Sequence, residues 1–114
     1  SGDFENVEDV KIGYIPDGYE LINTDESSIS ITYVYSSNNT DLLIDIFENE
    51  ASELFPDNER SKYSIIQING HESWIIYDEE NISGTLILIG SKVSVSISGS
   101  LPKKELIKIA ECIK

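Results

Sequence analysis

The sequence predicts an α+β fold: an antiparallel β-sheet of about six strands with a C-terminal α-helix packed on one face. Three observations carry that expectation. β-branched residues dominate the apolar set, with 19 isoleucines in 114 residues, and such side chains suit a pleated surface. Stretches of period-two alternation are separated by short runs of Gly, Asn and Ser, where the chain can reverse. The last turns switch to the helical period: Leu106, Ile109, Ala110 and Ile113 fall at i, i+3, i+4 and i+7.

Taken in order, residues 1–11 read as an N-terminal arm and 12–114 as a single domain. Ser1-Gly2 resembles a scar of tag cleavage rather than part of the fold. Residues 3–13 are acidic and weakly patterned, as in an arm or a frayed lead-in. Pro16-Asp17-Gly18 is a turn, since Pro fixes φ and Gly supplies a positive one. A strand starts over 19–22, and the polar stretch 23–28 reads as a turn. Ile29, Ile31, Tyr33 and Tyr35 alternate with Ser30, Thr32, Val34 and Ser36, so a half-buried strand follows. After a loop over 36–40, Leu42, Ile44 and Ile46 line one face of a strand over 42–48.

In the second half, 50–55 can form one helical turn, stopped by Pro56. Strands over 63–68 and 72–77 flank Asn69-Gly70, the strongest short hairpin signal, because a type I′ turn needs positive φ twice. Residues 78–83 form a loop. Strands over 85–89 and 93–98 flank Gly90-Ser91-Lys92, with Val93, Val95 and Ile97 facing in. Pro102 suits the first turn of the helix. The stretches around 74–77 and 86–89 are apolar on both faces and are expected to be central and covered on each side. The helix covers one side; residues 49–62, the arm or a partner would cover the other.

Composition excludes several functions. Eight bases against 21 acids leave a net charge of −13, which argues against nucleic acid and against anionic lipid. The charge is uneven. Residues 1–59 hold fifteen acids and only Lys11, whereas Lys103, Lys104, Lys108 and Lys114 crowd the end. A solvated acidic surface explains this, and so does an acidic face for a basic partner. The longest apolar runs are four residues, such as 86–89, so no membrane span is expected in this chain. One cysteine, Cys112, leaves no internal disulfide and no cysteine zinc site.

No constellation of reactive residues stands out. Asp78-Glu79-Glu80 offers hard oxygen ligands but lacks the order of a calcium loop. His71 follows the Asn-Gly turn, with Glu72 beside it; no nucleophile elbow or second carboxylate is placed by motif. Cys112 sits beside the apolar helix stripe as a half-buried structural thiol. Neither a phosphate loop nor a dinucleotide fingerprint is present. Tyr14, Tyr19, Tyr33, Tyr35, Tyr63 and Tyr77 are candidates for an aromatic ligand groove, although packing is the commoner fate of such residues. Asn38-Asn39-Thr40 and Asn81-Ile82-Ser83 match the glycosylation pattern, in a chain whose residue usage looks bacterial.

Three stretches nonetheless form a family pattern. Tyr14-Ile15-Pro16-x-Gly18-Tyr19-Glu20-Leu21, Ile68-Asn69-Gly70-His71-Glu72, and Gly99-x-Leu101-x-Lys103-x-Glu105-Leu106-Ile107-Lys108-Ile109-Ala110-Glu111 resemble, in that order, the domain of unknown function 4367. The resemblance runs over about residues 12–114. It implies a Firmicutes protein and an extracytoplasmic position at the C-terminal end of a membrane-anchored, anti-sigma-factor-like regulator. It implies no catalytic residue. One departure is Pro102, where relatives commonly place a Ser or Thr cap; Ser100 is the alternative cap. The expectation is therefore a non-enzymatic sensing or interaction domain with no cofactor and no metal, whose partner is another protein or a cell-envelope ligand. The alternatives are a ligand-binding module of a secreted protein or lipoprotein, taking a peptide, lipid or glycan, and a hydrolase. A deep apolar cavity would favour the ligand binder, and a flat exposed edge the partner binder.

Overall fold

Seven strands form one antiparallel sheet in a computed structural model that describes residues 4–49 and 62–114. They are β1 Glu20–Glu26, β2 Ser30–Ser37, β3 Thr40–Glu48, β4 Ser64–Ile68, β5 His71–Asp78, β6 Ser83–Leu88 and β7 Val93–Gly99. Among the described residues one α-helix, α1 Lys103–Glu111, follows. The spatial order is β1-β2-β3-β7-β6-β5-β4, so β7 is central and β1 and β4 are the edges. Seven strands replace the expected six or so, and the turn expected over 23–28 shifts to its end. Asn23–Glu26 extend β1 as an exposed edge, where solvent on both faces removes the alternation that marks a strand.

Turn chemistry explains the short connections. Asn69 and Gly70 take φ of 51° and 83°, as a type I′ hairpin requires. Asn38 and Asn39, at 49° and 67°, make the equivalent turn between β2 and β3. Gly84 has a different task. It pairs with Tyr77, and a Cβ there would lie 2.6 Å from Cδ1 of that ring. With the space left open, the Tyr77 hydroxyl reaches across and donates to the Leu101 carbonyl at 2.6 Å.

The core lies on one face. Ile31, Ile46, Val95 and Leu88 stand in register across four strands, and Tyr33, Ile44, Ile97, Leu86 and Ile75 form the next row. Over β6, β7 and β4 lies α1, burying Leu106, Ile109 and Ala110 completely. Pro102 occupies the helix N-cap position and no side chain caps it, so Ser100 does not serve. Over β2 and β3 lies the arm, whose short 3-10 turn Val7–Asp9 sends Phe4, Val7 and Val10 into the same core. Arm and helix thus share a face, and the arm does not cover the opposite one. On that opposite face Phe47, Trp74 and Ile87 are buried as well. The helical turn expected over 50–55 falls outside the described residues.

The lead-in is sewn to the end of the chain. An Ile12–Ile113 bridge is flanked by Lys11 N donating to Lys114 O at 2.6 Å and Lys114 N donating to Lys11 O at 2.8 Å. Gly13 N donates to Cys112 O at 3.0 Å. The Tyr14 hydroxyl donates to a Glu105 carboxylate oxygen at 2.6 Å, and the Lys108 ammonium sits 4.4 Å from the Tyr14 ring centre.

Candidate functional site

The β1–β2 hairpin is held by a serine turn. Ser27 N donates to Ser30 O at 2.8 Å, while the Ser27 hydroxyl accepts from the amides of Ile29 and Ser30 at 3.2 and 3.1 Å. This arrangement projects β1 as a strand whose seven residues are all exposed. A bulge lies between Leu21 and Asn23, and the remaining residues pair in regular register: Asn23 with Val34, Thr24 with Tyr33, Asp25 with Thr32 and Glu26 with Ile31. The hydrophobic side chains here are unusually open. Leu21 is 51% exposed, Ile22 60% and Ile29 44%.

Beside β1, on the core face, runs a groove of about 390 Å³. It is lined by Glu8, Val10, Lys11 and Ile12 of the lead-in, by Glu26 of β1, and by Ile31, Tyr33 and Tyr35 of β2. The two tyrosine rings stand 6.5 Å apart with a 40° tilt. Burial, and then the neighbouring Tyr33, push the Tyr35 phenol above its ordinary range, so it remains a neutral donor at neutral pH. Groove and strand together make an open, acidic, partly aromatic surface rather than a closed cavity.

The other residues singled out from the sequence are occupied elsewhere. His71 is half-buried, its ring parallel to Phe4 within 4° at 6.4 Å. Glu72 points to the opposite face as the next residue of β5 and accepts from the Trp74 indole at 2.5 Å. Histidine and carboxylate therefore do not converge. The Asp78 carboxylate is spent on its own turn, accepting from the amides of Glu80 and Asn81 and from the Asn81 side chain. Those bonds, Asn81 foremost, hold it below the usual carboxylate range. Among the described residues no group of three or more His, Cys, Asp and Glu side chains could hold a metal ion. Cys112 is half-buried at the C-terminus of α1.

Of the six tyrosines, the structure brings Tyr33 and Tyr35 together in the groove. Tyr14 and Tyr77 use their hydroxyls to fix the helix, Tyr19 packs on the core, and Tyr63 lies 6.2 Å from Trp74. The exposed strand itself was not visible as a site in the sequence, because edge position follows from strand order. Its one local signal is the Ser27–Ser30 spacing, in which hydroxyls cap the amides of a reversal.

Comparison with known proteins gives one family and one fold. The family "Domain of unknown function (DUF4367)" matches residues 9–113. No curated protein matches the chain. A crystal structure from Bacteroides thetaiotaomicron VPI-5482 is similar with a TM-score of 0.55 at 12% identity, over 96% of this chain and 46% of that one. The likeness is one of fold, and the chain spans less than half the length of that protein. Among the described residues no helix is long and apolar enough to cross a membrane.

Proposed function

The chain belongs to the DUF4367 family of domains of unknown function, and on that premise we propose that it is a non-enzymatic interaction domain, the extracytoplasmic sensing part of a membrane-anchored bacterial regulator. The observation that carries the reading is the edge β1, exposed along all seven residues and flanked by an open tyrosine groove. An open edge suits a macromolecular partner better than an enclosed small molecule. Support for a non-enzymatic role comes from His71, Glu72 and Cys112, which lie apart or are engaged in packing and hydrogen bonds. The anti-sigma-like setting rests on the family pattern alone.

The test is made in cells carrying the natural gene. Deletion of residues 12–114 should alter transcription of a defined gene set, and protease added to intact cells should cut the domain. Unchanged transcription together with a protected domain overturns the reading.

A further inference from the structure

We propose that β1 is the docking edge for an extended cationic polypeptide, which joins the sheet as an additional strand. The proposal rests on the interaction-domain reading and names the chemistry of the partner.

Backbone phase comes first. Ser27 N donates to Ser30 O at one end of the hairpin, and Glu48 N donates to Ile29 O across β2 and β3. In an antiparallel ladder, residues alternate between facing one neighbour and the other. Ile31 and Tyr33 therefore turn their amides and carbonyls toward β3, and Ser30, Thr32 and Val34 toward β1. It follows that Asn23 and Asp25 bond inward, while Thr24 and Glu26 direct N–H and C=O groups away from the sheet. These two residues present the ready pairing positions that a protein normally protects on an edge. An incoming strand would satisfy both.

Charge then selects the occupant. Glu20, Asp25 and Glu26 lie on β1, and Glu8 faces Glu26 across the groove. The one base in residues 1–59 is Lys11, whose ammonium lies 3.5 Å from the Glu8 carbonyl. A second copy of the chain, pairing edge to edge, would set these acids against their own kind, which is destabilising. A strand bearing Lys or Arg at alternate positions meets the opposite situation. Alternate side chains of a strand share one face, so its cations lie together on the side of Glu26 and of the Tyr33 and Tyr35 rings, whose faces attract positive charge, while Asp25 stands on the other side. The other edge, β4, carries no charged side chain and offers no such preference.

The probe is a synthetic eight-residue peptide of alternating lysine and valine, with a glutamate–valine peptide as control, added to the full 114-residue chain. The lysine peptide should shift the amide resonances of Asn23 to Glu26 and the ring resonances of Tyr33 and Tyr35, and added salt should weaken it. Thr24→Pro removes an outward N–H, which an edge position tolerates, and should cost at least about tenfold in affinity. Asp25→Lys combined with Glu26→Lys should reverse the preference toward the glutamate peptide, and this variant decides if Thr24→Pro fails to fold. Equal binding of both peptides, shifts confined to another surface, no binding, or a folded Thr24→Pro of unchanged affinity would each overturn the proposal. A domain that controls transcription in cells yet ignores the lysine peptide keeps its interaction role and loses this edge.

Discussion

Tyr14 shows how a single residue fixes the geometry of the domain. Its hydroxyl donates to Glu105 at 2.6 Å, and this bond, reinforced by burial and by the Glu105 charge, pushes the phenol up to about 12. The sign follows directly. The folded value lies above the ordinary 10.0, so the stabilising effect is complete below pH 10 and is lost as pH rises through about 12. Phenolate absorbance of the protein, less that of Tyr14→Phe, should show this late titration, and Glu105→Gln should bring it back toward the ordinary range. An ordinary titration with Glu105 intact would mean that the bond does not persist in solution. No simple sequence period could have announced the pair, because the two residues are 91 positions apart. By contrast, the left-handed backbone at Asn69 and Gly70 was legible from two letters, since the turn itself demands it.

At the scale of elements, the helix and the arm divide the covering of one sheet face. Leu106, Ile109 and Ala110 are fully buried and Ile113 nearly so. Each large aliphatic side chain contributes roughly 1.5–3 kcal/mol when buried, so together they rival a domain's whole stability of about 5–15 kcal/mol. A fragment ending at residue 101 should therefore aggregate or lose its cooperative melting transition, as judged by calorimetry and solubility. A soluble fragment with a sharp transition would make the helix an appendage. The helix was legible because its buried stripe repeats at the helical period. The arm was not, since Phe4, Val7 and Val10 sit in a short irregular segment among acids, and only the apolar face of β2 and β3 beneath them gives them a place. Of β1 only the start over 19–22 was legible; Asn23–Glu26, with no buried face, carry no hydrophobic code.

For the molecule as a whole, the dominant electrostatic fact is a net charge of −13, with fifteen of the 21 acids in the first 59 residues. Self-repulsion of this kind opposes compaction, and salt screens it over about 10 Å at 0.1 M and about 3 Å at 1 M. Raising sodium chloride from about 10 mM to about 1 M should lift the melting temperature by a few degrees, the equivalent of about 1 kcal/mol. The exposed Lys92–Glu5 pair, at 2.9 Å, works in the other direction, but exposed pairs of this type contribute little. A melting temperature that falls with salt would show that attractive pairs outweigh the repulsion. The sequence made this balance plain from counting alone, whereas placing the acids on a free edge required the strand order. The seam between the lead-in and the end of the chain has a mechanical consequence. Residues 11 and 114 are hydrogen-bonded neighbours, so tension drawn through both would load the short bridge one bond at a time and unzip it. The seven-stranded sheet, lying outside that line of force, would keep its shape and its free edge while the seam gave way.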